Sequence, residues 1–125
     1  MRIELTSVFV DDQRAALAFY TEVLGLEVVA EVHRAERDSY KLDLRLPEGT
    51  QIELFSFPNP PKRASYPEAC GLRHLAFEVA AIGEAVAELE KKGVAVEPVR
   101  VDEYTGKRFT FFADPDGLPL ELYER

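Results

Sequence analysis

The sequence predicts an α+β fold made of two βαβββ modules, and three observations carry that prediction. The first is an internal repeat. Residues 47–55 match residues 115–123, with Pro47/Pro115, Gly49/Gly117, Glu53/Glu121 and Leu54/Leu122 identical. Glu48/Asp116, Ile52/Leu120 and Phe55/Tyr123 are near matches. Self-similarity of this kind marks a repeated structural unit. The second is that Thr6-Ser7-Val8-Phe9-Val10 alternates in the same way as Leu75-Ala76-Phe77-Glu78-Val79. The third is that each of these runs is followed by apolar residues at helical spacing and then by three short runs with strand character.

In chain order, residues 5–10 read as the first strand. Ala15, Ala16, Phe19, Tyr20 and Leu24 then define the apolar face of a helix, with Asp12 as N-cap and Gly25 as the C-terminal stop. Strands follow near 27–34, 39–46 and 50–56. Residues 56–71 are proline-rich and read as a linker too short to separate independent domains. Residues 73–79 open the second module. Ile82, Ala85, Val86 and Leu89 form its helical face, Gly93 ends that helix, and strands follow near 95–101, 108–113 and 118–123. The chain therefore reads as a single domain, 1–125, with module 1 at about 1–57, the linker at about 56–71 and module 2 at about 72–125.

Composition narrows the function. A chain of 125 residues with 46% hydrophobic residues can bury a core without disulfides. Its formal charge of −8 argues against a nucleic-acid surface, which needs clustered Lys and Arg. Lys62-Arg63 reads as solvated surface. No apolar run reaches the roughly 20 residues of a membrane span, and residues 1–5 lack the apolar core of a secretory signal. The lone Cys70 cannot form an internal bridge. These features make the cytoplasm the default location.

Strand alternation sorts side chains onto two faces. Thr6, Val8 and Val10 face the helix, leaving Leu5, Ser7 and Phe9 on the other side. Glu53, His74 and Glu121 likewise project from the face that no helix covers. One imidazole and two carboxylates suit a divalent transition metal, and the carboxylates are candidate bases beside a Lewis acid. Taken singly, exposed glutamates are ordinary surface residues and a lone histidine is ordinarily a hydrogen-bonded core residue. The repeat relation between the glutamates strengthens the joint case.

The residues resemble the vicinal oxygen chelate superfamily, the group of glyoxalase I, extradiol dioxygenases, fosfomycin-resistance proteins and bleomycin-binding proteins. The resemblance rests on Val10-x-Asp12, Ala18-Phe19-Tyr20-x-x-Val23-Leu24-Gly25, Ile52-Glu53-Leu54, Arg73-His74-Leu75-Ala76-Phe77 and Asp114-Pro115-Asp116-Gly117-x-x-Leu120-Glu121-Leu122. It covers essentially the whole chain and is nearest to a bacterial glyoxalase I-like branch. It implies a cup-shaped curved sheet with helices outside, and a homodimer whose cups are shared between subunits. It also implies four metal ligands from the first and fourth strands of the modules. Three positions match as metal ligands: Glu53, His74 and Glu121. The fourth falls on Leu5, which cannot bind a metal; either water completes the site or the metal has been lost. Glu4 could substitute only through a one-residue slip that would turn Val8 and Val10 out of the core. His33 reads as an exposed residue near a strand end.

The resemblance further implies a glyoxalase I-like (lactoylglutathione lyase-related) enzyme that uses nickel, cobalt, manganese, zinc or iron. Glu121 would be the catalytic proton carrier, with Glu53 as its repeat-related alternative. Glyoxalase I holds the glutathione carboxylate with an arginine where this chain has Phe9, so Phe9 argues against glutathione. Leu5, Ser7, Phe9 and Arg108 are the expected pocket lining, and Arg37, Lys41 and Arg108 are candidate anion contacts. The competing function is a metal-free small-molecule binding protein of the bleomycin-resistance type. Ring-cleaving dioxygenase chemistry ranks last, because it needs a second histidine.

Overall fold

A computed structural model describes all residues, 1–125. The chain divides into two compact units, Met1–Lys62 and Arg63–Arg125, so the boundary lies inside the proline-rich stretch.

Unit 1 begins with strand β1 (Leu5–Phe9), followed by helix α1 (Gln13–Ala18). Asp12 is extended and its carboxylate accepts from the backbone N–H groups of Arg14 and Ala15 at 2.9 and 3.1 Å, which satisfies two otherwise orphaned donors. The helix then widens into a π-helical turn over Phe19–Val23. The Thr21 hydroxyl donates to the Leu17 carbonyl at 2.7 Å, competing with the backbone ladder, and the Leu24 N–H reaches five residues back to Phe19. Gly25 ends the helix at φ +79°, where a left-handed residue lets the Leu26 N–H return to the Tyr20 carbonyl at 3.0 Å. Strands β2 (Glu27–Arg34), β3 (Ser39–Arg45) and β4 (Gln51–Ser56) complete an open sheet of order β1-β4-β3-β2, with β1 parallel to β4 and the remaining pairs antiparallel.

Unit 2 repeats the plan: β5 (Leu75–Val79), α2 (Ile82–Lys91), β6 (Arg100–Val101), β7 (Arg108–Ala113) and β8 (Pro119–Glu124), in the order β5-β8-β7-β6. β6 is far shorter than the strand expected over 95–101. Pro98 has no N–H to give the ladder, so upstream of it only Glu97 bonds to β7, through its own N–H to the Phe111 carbonyl and its carbonyl to the Thr110 hydroxyl. The turn before β8 is organised by Asp114, which is buried and accepts from the N–H groups of Asp116 and Leu118 at 2.9 Å each.

Each unit has its own core between helix and sheet. Val8, Val10, Ala16, Tyr20, Leu42, Leu44, Ile52 and Leu54 are buried in unit 1; Ile82, Leu89, Phe112, Leu118, Leu120 and Leu122 are buried in unit 2. Burying each of the larger side chains stabilises the fold by about 1.5–3 kcal/mol. Because Val8, Leu54, Leu120 and Leu122 are inward, their strand neighbours Ser7, Glu53 and Glu121 lie on the face that no helix covers. The one-residue slip that would recruit Glu4 does not occur, and Glu4 instead pairs with Arg2.

Candidate functional site

The open face of unit 1 is a set of cross-strand rows fixed by register. One row runs Ser7–Glu53–Asp43–Ala30, and the next runs Phe9–Phe55–Lys41–Val32. The Ser7 hydroxyl donates to Glu53 Oε1 at 2.9 Å, which orients the carboxylate. Asp43 stands across the ladder from Glu53 with its side chain 19% exposed. Its Oδ2 faces Lys41 Nζ at 3.6 Å, while its Oδ1 is buried with no hydrogen-bond partner. Sequence reading passed over Asp43, although its alternation with Leu42 and Leu44 puts it on the same face as Glu53. Phe9, 60% exposed, stacks on Phe57 and meets Phe55 edge-on, both with centroids 5.8 Å apart. Together with half-exposed Leu5, these rings make one end of the face apolar.

On the open face of unit 2, Ala76, Glu121 and Phe111 form one row, and Glu78, Tyr123, Phe109 and Arg100 form the next. His74, just before β5, places Nε2 2.8 Å from Glu121 Oε2. The Glu121 side chain is 13% exposed and that of His74 31%, so the pair is sheltered yet reachable. The edge of the imidazole meets the Phe111 ring at 5.1 Å, which fixes its tilt. The backbone entering His74 is fastened by Arg63. That guanidinium donates to the Leu72 and Arg73 carbonyls at 3.0 and 2.8 Å and to the Ser65 hydroxyl at 3.1 Å. Arg63 is thus a structural clip rather than the solvated surface residue expected from sequence.

Arg108, expected in the pocket lining, lies on the other face, in step with Thr110 and Phe112. Glu124 holds it at 2.8 Å, and this hydrogen bond and the charge of Glu124 raise the guanidinium pKa. Alternation puts Phe109, not Arg108, on the open side. The basic residue that does reach that side is Arg100, which sequence reading missed. The only available signal was its single position in a strand that Pro98 truncates. Arg37 has no side-chain ion pair, Lys41 pairs with Asp43, and His33 stacks on Tyr40 at 4.2 Å near Asp38. Cys70 is a free, exposed thiol. At the rim of unit 2, the Tyr123 hydroxyl bridges Asp102 and Thr105. The Asp102 pKa is lowered, first by the Tyr104 backbone N–H and then by Tyr123 and Thr105.

The donor chemistry bears on a metal. An imidazole, carboxylates and a hydroxyl are nitrogen and oxygen donors of the kind first-row divalent ions accept. They are delivered as two oriented pairs, Ser7–Glu53 and His74–Glu121, and the buried Asp43 Oδ1 beside Glu53 is a further unused acceptor. No three His, Cys, Asp or Glu side chains of the chain gather into one metal-binding group. The residues therefore fit a divalent ion by donor type, in sets smaller than a complete first coordination shell.

Two βαβββ units, each with a fourth-strand glutamate on the open face, define the class. The chain belongs to the Glyoxalase/Bleomycin resistance protein/Dioxygenase superfamily, whose family model matches residues 2–122. Members of this vicinal oxygen chelate group commonly use divalent metals. The chain is 58% identical over 119 residues to YaeR, an uncharacterized protein of Escherichia coli (strain K12), covering 95% of this chain and 92% of that protein. It is 34% identical over 134 residues to the 2-epi-5-epi-valiolone epimerase of Actinomyces sp, covering 90% of this chain and 73% of the epimerase. Among solved structures, the glyoxalase family protein from Enterococcus faecalis matches with a TM-score of 0.93 and 50% identity, over 98% of this chain and 97% of that one. No helix is long and apolar enough to cross a membrane.

Proposed function

We propose that the protein is a glyoxalase I-like metalloenzyme that moves a proton between adjacent carbons of a small substrate with two vicinal oxygens. The observation that carries this reading is the 2.8 Å contact between His74 and Glu121 on the sheltered open face. It couples a metal-ligating imidazole to a candidate base. The 34% identity to an epimerase supports proton transfer at carbon as the reaction type.

Glu53, His74 and Glu121 would hold a divalent ion, with Leu5 leaving one position to water. When bound, such an ion supplies Lewis acidity toward two adjacent substrate oxygens. The chain supplies the rest. Glu121 takes the proton from the hydroxyl-bearing substrate carbon, the bonding electron pair moves onto the neighbouring carbonyl oxygen, and the same carboxyl returns the proton to the adjacent carbon, while the hydroxyl proton passes to the other oxygen as the first carbon becomes the carbonyl. Glu53 is the repeat-related alternative to Glu121 as that proton carrier. Nothing is oxidised or reduced overall. Ser7 and His74 keep the two carboxylates oriented, so their motion is limited when the proton moves. Phe9, Phe55 and Phe57 offer an apolar wall in place of a glutathione-carboxylate arginine. A homodimer, the assembly that the family resemblance implies, would complete the site, with the Ser7–Glu53 pair of one protomer facing the His74–Glu121 pair of another.

Elemental analysis of protein purified without chelator, then reloaded with nickel, cobalt, manganese, zinc or iron, tests this reading. About one ion per chain is expected, falling sharply in His74→Ala. Glu121→Gln is expected to lower turnover of dicarbonyl or thiol-adduct substrates by roughly 100-fold or more while the protein stays folded. The exposed Phe9–Phe55–Phe57 cluster favours a second reading, metal-free sequestration of an aromatic compound. Absence of metal under every loading condition, with ligand binding indifferent to chelator, would establish that one instead.

A further inference from the structure

Unit 2 contains a cavity of about 650 Å³ bordered by Tyr66, Arg73, Val96, Glu97, Arg100 and Phe111, among others. One of its lining residues, Phe111, also borders the His74–Glu121 pair. Phe111 stands directly across the ladder from Glu121 and edge-on to His74, and Ala113 and Pro119, one row further along, line the cavity as well.

Arg100 is the distinctive residue here. Its guanidinium lies over the Phe109 ring at 5.0 Å and reaches the Phe111 ring at 5.9 Å, so it leans along β7 toward the Glu121 row. In register it stands opposite Phe109 alone. The other guanidinium at this cavity, Arg73, is committed to Glu68 at 3.4 Å. Arg100 is in no ion pair. Glu97 shares the cavity wall without entering a salt bridge with it. A cation held over two phenyl rings is positioned without being neutralised, because the ring faces attract its charge but leave the outward N–H fork free. That planar fork matches the paired oxygens of a carboxylate or a phosphate.

We propose that this cavity seats an organic oxyanion, a carboxylate or phosphate group met by Arg100, whose apolar body lies along Phe111, Val96 and Tyr66 toward Glu121. This names the substrate class of the proposed reaction centre and rests on that reading for the direction in which the substrate points. Arg100 acts as a specificity determinant for an acidic small molecule.

The test is calorimetric binding of three probes to the full-length, metal-reconstituted protein. They are 3-phenylpropionate, phenyl phosphate and the uncharged 3-phenylpropanol, and metal content is measured on the same samples. At least one anion should bind at least ten-fold more tightly than the alcohol, and the tighter of the two identifies the oxyanion. In Arg100→Gln that preference should fall to within about two-fold while the alcohol binds as before. Equal affinity for all three probes, or no binding of any, overturns the proposal. So does a preference that survives in Arg100→Gln, or an equal loss for all three, which would make Arg100 a packing residue. Anion preference in protein that takes up no metal would keep the oxyanion seat and remove the metalloenzyme reading. Metal uptake without anion preference would do the reverse.

Discussion

Glu53 and Glu121 occupy equivalent positions in the two modules, yet different neighbours hold them. In unit 1 the partner is Ser7, and the residue two places earlier, Leu5, is inert. In unit 2 the partner is His74, and the residue two places later, Ala76, is inert. Each first strand therefore keeps one polar hand for its glutamate, on alternate rows of the same face. This bears on the Leu5 departure: the position is silent, but the carboxylate it would have accompanied is still oriented. Leu5→His should raise metal affinity, read as a lower dissociation constant in competition with a chromogenic chelator. An unchanged constant would mean that the first row of unit 1 lies outside any coordination shell. That Glu53 lies on the helix-free face of unit 1, and Glu121 with His74 on that of unit 2, could be read from sequence because a period of two sorts strand side chains. Asp43 and Arg100 could not be singled out, because one charged residue in a half-buried strand looks like any other until the register names its neighbours.

At the scale of elements, local chemistry sets the boundaries. Asp12, Gly25 and Gly93 were legible because capping depends on a few adjacent atoms. The π-helical turn and the shortening of β6 were less so. The first depends on the competing hydroxyl of Thr21, the second on which strand partner Pro98 fails to meet. Asp12→Ala removes the acceptor for two helix N–H groups and is expected to cost about 1 kcal/mol in urea unfolding. Because α1 packs on β4, the strand carrying Glu53, this variant also reports whether helix docking and carboxylate orientation are coupled. Thermal melts and metal titration of one sample separate the two effects.

At the scale of the whole molecule, the fold was readable almost throughout, because two copies of one pattern corroborate each other. How the candidate donors come together was not, because alternation assigns a residue to a face and carries no information about what that face meets. Subunit mixing addresses this directly. Glu53→Gln damages unit 1 and leaves unit 2 intact, whereas His74→Ala does the opposite. If the site is shared between protomers, unfolding and refolding the two variants together in equal amounts should restore metal binding to about one quarter of the wild-type stoichiometry, since half the dimers would be mixed and each would hold one complete site. A refolded mixture that binds no more metal than the variants alone would place the site within one chain.

The Arg63 clip has a consequence for how the chain tolerates being opened. Its guanidinium ties residue 63 to the carbonyls of Leu72 and Arg73, so the segment between them is a loop sutured at its base. A protease cut, a tag or an insertion near the exposed Tyr66 or Cys70 would leave both ends of the suture in place. The approach to His74 would keep its course although the peptide connection had been severed. The same stitch makes this loop a place where new sequence can be grafted beside His74 without moving it.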